Sequence, residues 1–544
     1  MLDNEAGRSH YIEVAGSRYA KQRGLCHSRQ RLCRLAVVAV AGLAVFSMVS
    51  AVWAKEPFGM KQVINKARQL AGQPFQSSAG QVPEFLMKLD YDAWRDIRFN
   101  PEMALWKKEK LPFNVQFFHP GLYYDRTVAI SIIEPAKVKR VPFSSALFNY
   151  GKNNFKDRVP ANLGFAGFRM HYPINTKNYF DEVAVFLGAS YFRAVAKKQN
   201  YGMSARGIAI DTAQSTGEEF PYFREFWMVK PVPGAKKMTI YALLDSSSMT
   251  GAYQFIIQPG KETVMDVRST LFLRKKITKL GIAPLTSMFF YGENTSQRPA
   301  DDFRPEVHDS DGLLIAFASG EWLWRPLLNP RTLLINSFRA PNPAGFGLLQ
   351  RDLNFDSYQD LEAHYENRSS VWIKPSGAWG DGHVELIQIP TENELHDNVS
   401  AFWVPERMPE PGQPLSFSYT MSWHFPGSIQ PPGGHVVSTR TATGKDEHIK
   451  KFVIDFAGGA LESLPPDKRL TAAISVDGKA RLIEQQTFKN TVTGGWRLVF
   501  QIRLEDQGSV ERMLPQKKPP VELRAYLNDG TNTLTETWSY LYLP

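Results

Sequence analysis

The chain has 544 residues, of which 43% are hydrophobic and 12% aromatic, and a formal net charge of +10. This length exceeds what one hydrophobic core normally fills, so we expect two domains, and the composition excludes a disordered or fibrous protein. The first 54 residues hold seven Lys and Arg against three Asp and Glu, which leaves about +6 on the remainder. Because no basic run is dense enough to follow a phosphate backbone, we expect no nucleic-acid partner.

The N-terminal segment is typical of an export signal. It begins basic and polar, is apolar over residues 35–52, and ends at Ala54 with small residues where a signal peptidase acts. We interpret residues 1–54 as a cleavable signal peptide with a long basic n-region. An uncleaved membrane anchor is the alternative, because an apolar stretch of about 20 residues is just long enough to span a bilayer. Cys26 and Cys33 both lie here, and a mature chain without thiols suits an oxidising compartment.

The next residues favour one helix and then a body of antiparallel strands. Apolar residues recur at helical spacing over residues 59–71, which predicts an amphipathic helix. The later apolar runs are short, rich in β-branched and aromatic residues, and separated by Pro, Gly and Asn, which is typical of strands. These predicted strands cover residues 128–133, 237–244, 252–258, 263–273, 313–317 and 332–338.

A proline-rich stretch divides the predicted β body. Residues 405–414 hold four prolines, which exclude a helix or a central strand, and we interpret them as a stiff linker. Residues 55–404 are then a large β-sandwich domain. Residues 415–423 alternate strictly between apolar and polar, and six further predicted strands follow, at residues 452–456, 470–476, 481–488, 496–503, 521–527 and 535–543. Residues 415–544 are therefore predicted to form a small immunoglobulin-like sandwich.

Acidic residues concentrate in two segments of the large domain. Five of them lie between residues 301 and 311, around the run His308-Asp309-Ser310-Asp311-Gly312, and three follow the predicted strand at 383–389. Hydrolysis of a glycosidic bond needs two carboxyl groups, and each segment could supply one. The alternative is that these acids are simply solvated loop residues, so the acids alone do not identify an enzyme.

Metal sites are not expected from these residues. His308 stands beside two aspartates and His383 near Asp381, but the mature chain has no Cys and no H-x-x-x-H spacing. The segment 309–312 resembles the start of a calcium loop, yet the position of the bidentate Glu is Ala318. We predict neither a metal nor a cofactor.

Tryptophans near the acids are candidates for stacking on sugar rings. We predict Trp322, Trp324 and Trp379 as substrate-binding residues, because indole faces pack well against the apolar faces of sugars. Buried Trp in β-sandwiches is usually part of the core, so we expect about half of the nearby aromatic residues to be structural.

Several long strings in the sequence resemble the periplasmic glucan biosynthesis protein G and D family, the MdoG/OpgG type. They occupy residues 163–169, 186–194, 201–207, 218–221, 280–289, 308–311 and 342–350. This resemblance covers roughly residues 57–544 and implies a periplasmic two-domain all-β protein, with a large galactose-mutarotase-like antiparallel sandwich and an immunoglobulin-like sandwich. It implies a role in making osmoregulated periplasmic glucans, whose backbone is β-1,2-linked glucose.

Related members of that family are endo-β-1,2-glucanases that invert the anomeric centre, and the resemblance implies a catalytic pair here. Asp397 would be the general acid, and Asp309 would be the base that draws a proton from water. Glu394 and Tyr365 resemble groups near the cleft of the family, and Arg368 resembles an Arg of its Arg-Pro-Ser motif.

Two departures from the family pattern leave the enzymatic activity open. The Arg-Pro-Ser motif has Ser369 in place of Pro, and Asp381 stands where a Lys is usual. The segment between residues 444 and 451 is also short. In the family that the chain resembles, the hydrolytic D-type members have a longer, Trp-containing loop at this point. The chain is thus more similar to the G type, with low turnover expected.

Three functions are consistent with the sequence. The first is a glucanase acting on linear β-1,2-glucan. The second is a non-catalytic glucan-binding protein that escorts the nascent chain. The third is a structural partner of the inner-membrane glucan glucosyltransferase. The oligomeric state is left open.

Overall fold

The α-helices are confined to the start of the described chain, which a computed structural model gives for residues 57–544 apart from residues 136, 297, 426, 428, 479 and 506–518. They are α1 (Met60–Ala71), α2 (Glu84–Met87) and α3 (Tyr91–Arg95). The helix predicted over residues 59–71 is therefore confirmed. The predicted signal peptide and both cysteines lie outside the described residues. Phe58–Pro544 forms one compact unit, and no helix in the described part is long and apolar enough to cross a membrane.

Strands account for most of the regular structure beyond α3. The first half comprises β1 (Arg98–Phe99), β2 (Asn114–Phe118), β3 (Ala129–Glu134), β4 (Lys137–Arg140), β5 (Phe148–Asn149), β6 (Gly167–Tyr172), β7 (Asp181–Leu187), β8 (Tyr191–Ala194), β9 (Ser204–Arg206), β10 (Ala209–Ile210), β11 (Tyr222–Val229), β12 (Met238–Asp245), β13 (Met249–Gln258), β14 (Thr263–Leu273), β15 (Leu280–Ser287) and β16 (Phe289–Tyr291). The second half comprises β17 (Val307–His308), β18 (Gly312–Ala316), β19 (Trp322–Pro326), β20 (Leu334–Arg339), β21 (Gly345–Leu349), β22 (Ser370–Pro375), β23 (Gly382–Gln388), β24 (Val399–Pro405), β25 (Pro414–His424), β26 (His435–Thr443), β27 (Ile449–Ala457), β28 (Thr471–Val476), β29 (Ala480–Lys489), β30 (Trp496–Leu504), β31 (Val521–Asn528) and β32 (Thr537–Tyr542).

Two large sheets build the main sandwich. One has the order β2-β6-β7-β8-β9-β15-β24-β23-β20, with β10 also paired to β15. The other runs β28-β31-β32-β19-β18-β21-β22-β25-β14-β13-β12-β11-β3-β4. Side chains of both sheets share one hydrophobic core, in which Phe186, Phe255 and Trp403 are almost fully buried. The all-β sandwich architecture predicted from the sequence is confirmed.

Strand β25 lies inside the second large sheet. It pairs with β14 from Thr263 opposite Trp423 to Phe272 opposite Pro414, and its other edge pairs with β22. Its alternating apolar residues contribute to the main core, as the period of two requires for a strand with one buried face. A division of the chain by cores would therefore fall after His424. The predicted linker ends in this strand, and the division into two domains stays a prediction.

The C-terminal strands form a second sandwich. A four-stranded sheet of order β26-β27-β30-β29 shares a hydrophobic core with β28, β31 and β32. Trp496 and Trp538 are its largest fully buried side chains. The same core includes Trp324 and Trp372 from the main sheet, because β19 pairs in parallel with β32 at Leu323 opposite Thr537. One continuous sheet thus borders both cores.

Candidate functional site

Asp309 lies at a turn between two strands of different sheets. It follows β17, which pairs with β16, and its backbone N–H donates to the carbonyl of Met288 at 2.8 Å. Only 5% of the residue is exposed. Gly312 opens β18 three residues later, where a Cβ would overlap the ring of Trp324. The carboxylate of Asp309 is thus buried, and the tight packing of Gly312 against Trp324 fixes the turn that carries it.

Arg368 holds the carboxylate of Asp309. Its Nη1 donates to Oδ1 of Asp309 at 2.7 Å, while Nη2 donates to the carbonyl of Ala363 at 3.2 Å. The guanidinium also lies 4.5 Å from the ring centroid of Tyr365. A guanidinium fixed by a carbonyl and an aromatic face is pre-organised to bind an anion.

The charge state of Asp309 is set by opposing influences. Burial raises the pKa of its carboxyl, Arg368 pulls the pKa down, and the charge of Asp397 raises it again. The net direction is upward. Proton transfer is most efficient when the pKa of the group approaches the working pH, so this environment suits an acid–base role.

Asp397 lies on the exposed connection between β23 and β24. Its side chain is 35% exposed, and its Oδ2 lies 3.7 Å from Nη2 of Arg193 on β8. The charges of both Asp397 and Arg193 act on Asp309. The structure therefore brings together the two predicted catalytic acids, one buried and one accessible to solvent.

Asn398 ties the loop of Asp397 to the strand beside Asp309. Its Oδ1 accepts the N–H of Phe289 at 2.8 Å, and its Nδ2 donates to the carbonyls of Phe289 and Ile389 at 3.0 Å each. Because β16 pairs with the strand that precedes Asp309, this amide fixes the position of one acid segment relative to the other. The sequence analysis missed Asn398, although it directly follows Asp397.

Glu394 and Tyr365 form a second contact next to the first. The hydroxyl of Tyr365 donates to Oε2 of Glu394 at 2.6 Å, and Nη1 of Arg304 donates to the same oxygen at 2.7 Å. Burial and the bond to Glu394 raise the pKa of Tyr365 well above its usual range, so the phenol remains a donor. Arg368, which stacks on Tyr365, links this pair to Asp309.

Arg304 gathers three loops around the site. Its guanidinium also bonds Asp302 at 2.8 Å and Asp360 at 3.0 Å, and only 14% of its side chain is exposed. These bonds hold the pKa of Asp302 well below its usual range. The sequence analysis missed Arg304 and Asp360, since no local spacing indicates that this guanidinium will also bond two other loops, those of Asp360 and Glu394.

His308 is buried on the other side of Asp309 and is held as a donor. Nε2 of Gln350 donates to the carbonyls of His308 and Tyr365, so its Oε1 faces Nδ1 of His308 at 2.9 Å and can only accept. The other ring nitrogen lies 3.0 Å from Glu306 and 3.5 Å from Asp311. Burial disfavours the imidazolium, but these partners outweigh it and raise the pKa of His308 to about 9.

Further carboxylates surround a small cavity next to His308. Glu293, Glu306 and Asp311 line it together with Arg351. Burial, with the charges of Glu306 and Asp311, raises the pKa of Glu293 to about 8. Within the described part of the chain, two groups have ligand atoms close enough for a metal ion, Glu306 with His308 and Asp311, and Glu293 with Glu306 and Asp352. Asp311 also accepts the N–H of Asp352 at 2.9 Å, which stabilises the loop.

The three tryptophans predicted to bind sugar all pack against a hydrophobic core. Trp324 and Trp379 are 3% and 7% exposed. The half-buried Trp322 stacks on Trp372 with ring centroids 5.6 Å apart, and Nε1 of Trp379 donates to the carbonyl of Ser418. An indole face covered by protein cannot stack on a sugar ring, so Trp324 and Trp379 contribute to packing.

The sequence matches known proteins along nearly its whole described length. A family model described as periplasmic glucan biosynthesis protein, MdoG, matches residues 58–542. A protein of Ralstonia nicotianae named glucans biosynthesis protein G is 48% identical over 498 residues, which cover 90% of this chain and 96% of that protein. A solved polysaccharide lyase is 9% identical with a TM-score of 0.18, over 70% of this chain and 44% of the lyase, too little likeness to bear on function.

Proposed function

Because the chain belongs to the MdoG family of periplasmic glucan biosynthesis proteins, we propose that it contributes to this pathway as an anomer-inverting endo-β-1,2-glucanase acting on the linear glucan backbone. Asp397 is the proposed general acid and Asp309 the proposed base. A role in glucan biosynthesis follows from the family. The cleavage, the linkage and the two residue roles are the proposal.

The contact between Arg368 and Asp309 carries this proposal. Inversion needs one protonated and one charged carboxyl group, with space between them for water. Two interacting carboxylates disfavour double ionisation, so the pair tends to retain one proton. Arg368 lies 2.7 Å from Asp309, whereas Arg193 lies 3.7 Å from Asp397. The closer cation favours the negative charge on Asp309, as the role of a base requires, and opposes the upward shift that burial gives to the pKa of its carboxyl.

In the proposed reaction, each group has a role that its position in the site allows. Exposed Asp397 gives its proton to the glycosidic oxygen as the bond to the anomeric carbon breaks. Asp309 takes a proton, directly or through a relay, from the water that attacks that carbon from the opposite face. Tyr365, Glu394 and Arg368 offer hydroxyl, carboxylate and guanidinium groups that can bond sugar hydroxyls.

A degradation assay tests this function directly. Residues 55–544 are incubated with linear β-1,2-glucan, and the products are followed by size and, by NMR, by anomeric configuration. We expect shorter oligosaccharides with inverted configuration at the new reducing end. Asp397→Asn and Asp309→Asn should each lower the rate at least 100-fold, in line with the ~10²–10⁴ typical of acid–base catalysis, whereas Asp381→Asn, on the exposed surface, should not.

A glucan-binding escort is the second candidate. The connection between β26 and β27 is a tight hairpin, in which the N–H of Gly444 donates to the carbonyl of Ile449 at 2.8 Å. This brevity favours the G-type pattern, for which we propose low turnover. No chain shortening over days at high protein concentration, together with measurable glucan binding, would favour the escort over the enzyme.

Export and partnership complete the proposal. We propose that residues 1–54 are removed and that the mature protein works in the periplasm, next to the inner-membrane glucan glucosyltransferase. The mass of the protein isolated from periplasm checks the first point, since cleavage after Ala54 leaves Lys55 as the first residue. Co-purification of the transferase checks the second.

A further inference from the structure

A second groove lies away from the acid pair, between strand β20 at the end of one large sheet and strands β19 and β31 of the other. Its volume is about 450 Å³, and its walls include residues of β19, of the turn before it, of β20 and of β31. Pockets that hold small ligands typically have ~300–1,000 Å³. None of Asp309, Arg368 and Asp397 lines it.

The floor of this groove is aromatic and rigid. Phe317 and Phe338 are both half-buried and pack against the main core. Phe338 is also backed by Arg325, whose guanidinium lies 5.4 Å from the ring centroid. Arg325 is fixed in turn by two bonds to Glu522, at 2.7 and 2.8 Å. A bidentate ion pair, in which Arg325 is buried and Glu522 is partly exposed, therefore supports the half-buried ring of Phe338.

The rim carries both donors and acceptors. Arg524 pairs with Glu321 across the groove, and Ser337 lies exposed on β20. Arg339 is also exposed, and its side chain makes no ion pair or hydrogen bond with any residue in the described ranges. An unpaired guanidinium at the rim of a concave groove is available to a ligand.

We propose that this groove binds a segment of linear glucan, as a second carbohydrate site separate from the acid pair. Sugar rings present apolar faces that pack on Phe317 and Phe338, and hydroxyls that both donate and accept. Glu321 and Ser337 can accept from these hydroxyls, while Arg339 and Arg524 can donate to them.

Other ligand classes fit the groove less well. Glu321 would repel a phosphate or a carboxylate, and it already neutralises Arg524, so one free cation remains for an anion. The apolar lining is small, two half-buried rings with Ala318, Leu323 and Pro341, and it alternates with charged and hydroxyl groups, which suits a hydrophobic peptide poorly. The inference rests on the proposed function for the identity of the glucan, and it adds a site that would hold the chain during its processing.

Calorimetric titration with a linear β-1,2-gluco-oligosaccharide tests the site. We perform it in the Asp397→Asn protein, which limits turnover, and expect two binding events. Arg339→Ala and the groove-filling Ser337→Trp should each weaken one event at least 10-fold. Both positions are exposed, so neither change removes a buried contact that the fold needs. Arg268→Ala, an exposed Arg of β14 that does not line the groove, is the matched control and should leave both events intact.

The outcomes separate this inference from the proposed function. Unchanged titrations in both Arg339→Ala and Ser337→Trp, or a single event in the Asp397→Asn protein, would overturn the groove whether or not the wild-type protein cleaves glucan. Two events, one of them lost in the groove variants, would support the groove even if cleavage is absent.

Discussion

Nη1 of Arg368 lies 2.7 Å from Oδ1 of Asp309, and the same guanidinium lies over the ring of Tyr365. One side chain therefore touches both the proposed base and the tyrosine that binds Glu394. Any change at Arg368 should alter the proton affinity of Asp309 and the geometry of the neighbouring polar groups together.

Arg368→Lys should shift the pH dependence of cleavage. Arg368 lowers the pKa of Asp309, and a lysine cannot hold the carboxylate and the Ala363 carbonyl with the same planar fork. The pKa of the base should rise, so the acidic limb of the kcat profile should move to higher pH, with turnover lowered about 10- to 100-fold at neutral pH. Activity measured across pH checks this. An unchanged acidic limb would contradict the role of Arg368, and Arg268→Lys should behave as the wild type.

Arg304→Met should weaken substrate binding more than it slows chemistry. It leaves Asp302, Asp360 and Glu394 without their shared cation, and breaking a buried ion pair typically costs ~3–5 kcal/mol. We expect a lower melting temperature and a KM raised at least 10-fold. Tyr365→Phe is the graded comparison, because Arg304 still holds Glu394 and only one hydrogen bond, worth ~1 kcal/mol, is lost. An equal KM in both variants would contradict this ordering.

The protein should lose stability as the pH rises above neutral. The pKa of His308 is raised from 6.5 to about 9, so the folded state holds this proton more tightly than the unfolded state. The stabilisation is fully present below pH 6.5 and is lost as the pH rises through 9. The raised pKa of Glu293 acts in the same direction up to about pH 8. His308 alone should lower the free energy of unfolding in urea by roughly 2–3 kcal/mol between pH 6.5 and 9.5, and Glu293 should add to this fall.

His308→Gln provides the control for this pH dependence. Glutamine keeps a donor near Glu306 but has no charge to lose, so the unfolding midpoint should be lower at pH 6.5 and should depend less on pH. A wild-type midpoint that is flat or rises between pH 6.5 and 9.5 would show that the His308 cluster does not hold its proton.

Arg351→Met should destabilise the junction between the two cores. Arg351 donates to both carboxylate oxygens of Glu536, at 2.6 and 3.0 Å, and Glu536 is fully buried. Leaving that carboxylate without its cation should cost about 3–5 kcal/mol, measured by chemical unfolding. Lys88→Met removes the exposed pair with Glu84 and should change stability by less than ~1 kcal/mol. Similar effects in both variants would contradict a structural role for the buried pair.

The strands were predictable because their signals are local. The run predicted over residues 263–273 is strand β14 with the same bounds, and the alternating residues 415–423 lie within β25. What could not be predicted is the neighbour of each strand, since any apolar face can pair with any other. Strand β25 is an example, because its alternation does not indicate that its partners are β14 and β22.

In the candidate site, too, some residues could be predicted from the sequence and others could not. The resemblance to a family indicated Asp309, Asp397 and Arg368, which the structure brings together. Arg304 and Asn398 act through contacts between distant loops, and the sequence analysis did not identify them. The sequence could not predict that Trp324 and Trp379 are buried, because an indole that suits a sugar face suits a hydrophobic core equally well.

The pairing of β19 with β32 also restricts how a polymer can enter. Because a single hydrogen-bonded sheet borders both cores, and Arg325 and Arg351 bridge them to Glu522 and Glu536, the two sandwiches cannot part like the halves of a clamp without breaking strand pairs. Under the proposed function, a glucan must therefore reach the acids without a hinge opening between the two cores, and any motion that admits it would lie in loops such as those joined by Arg304.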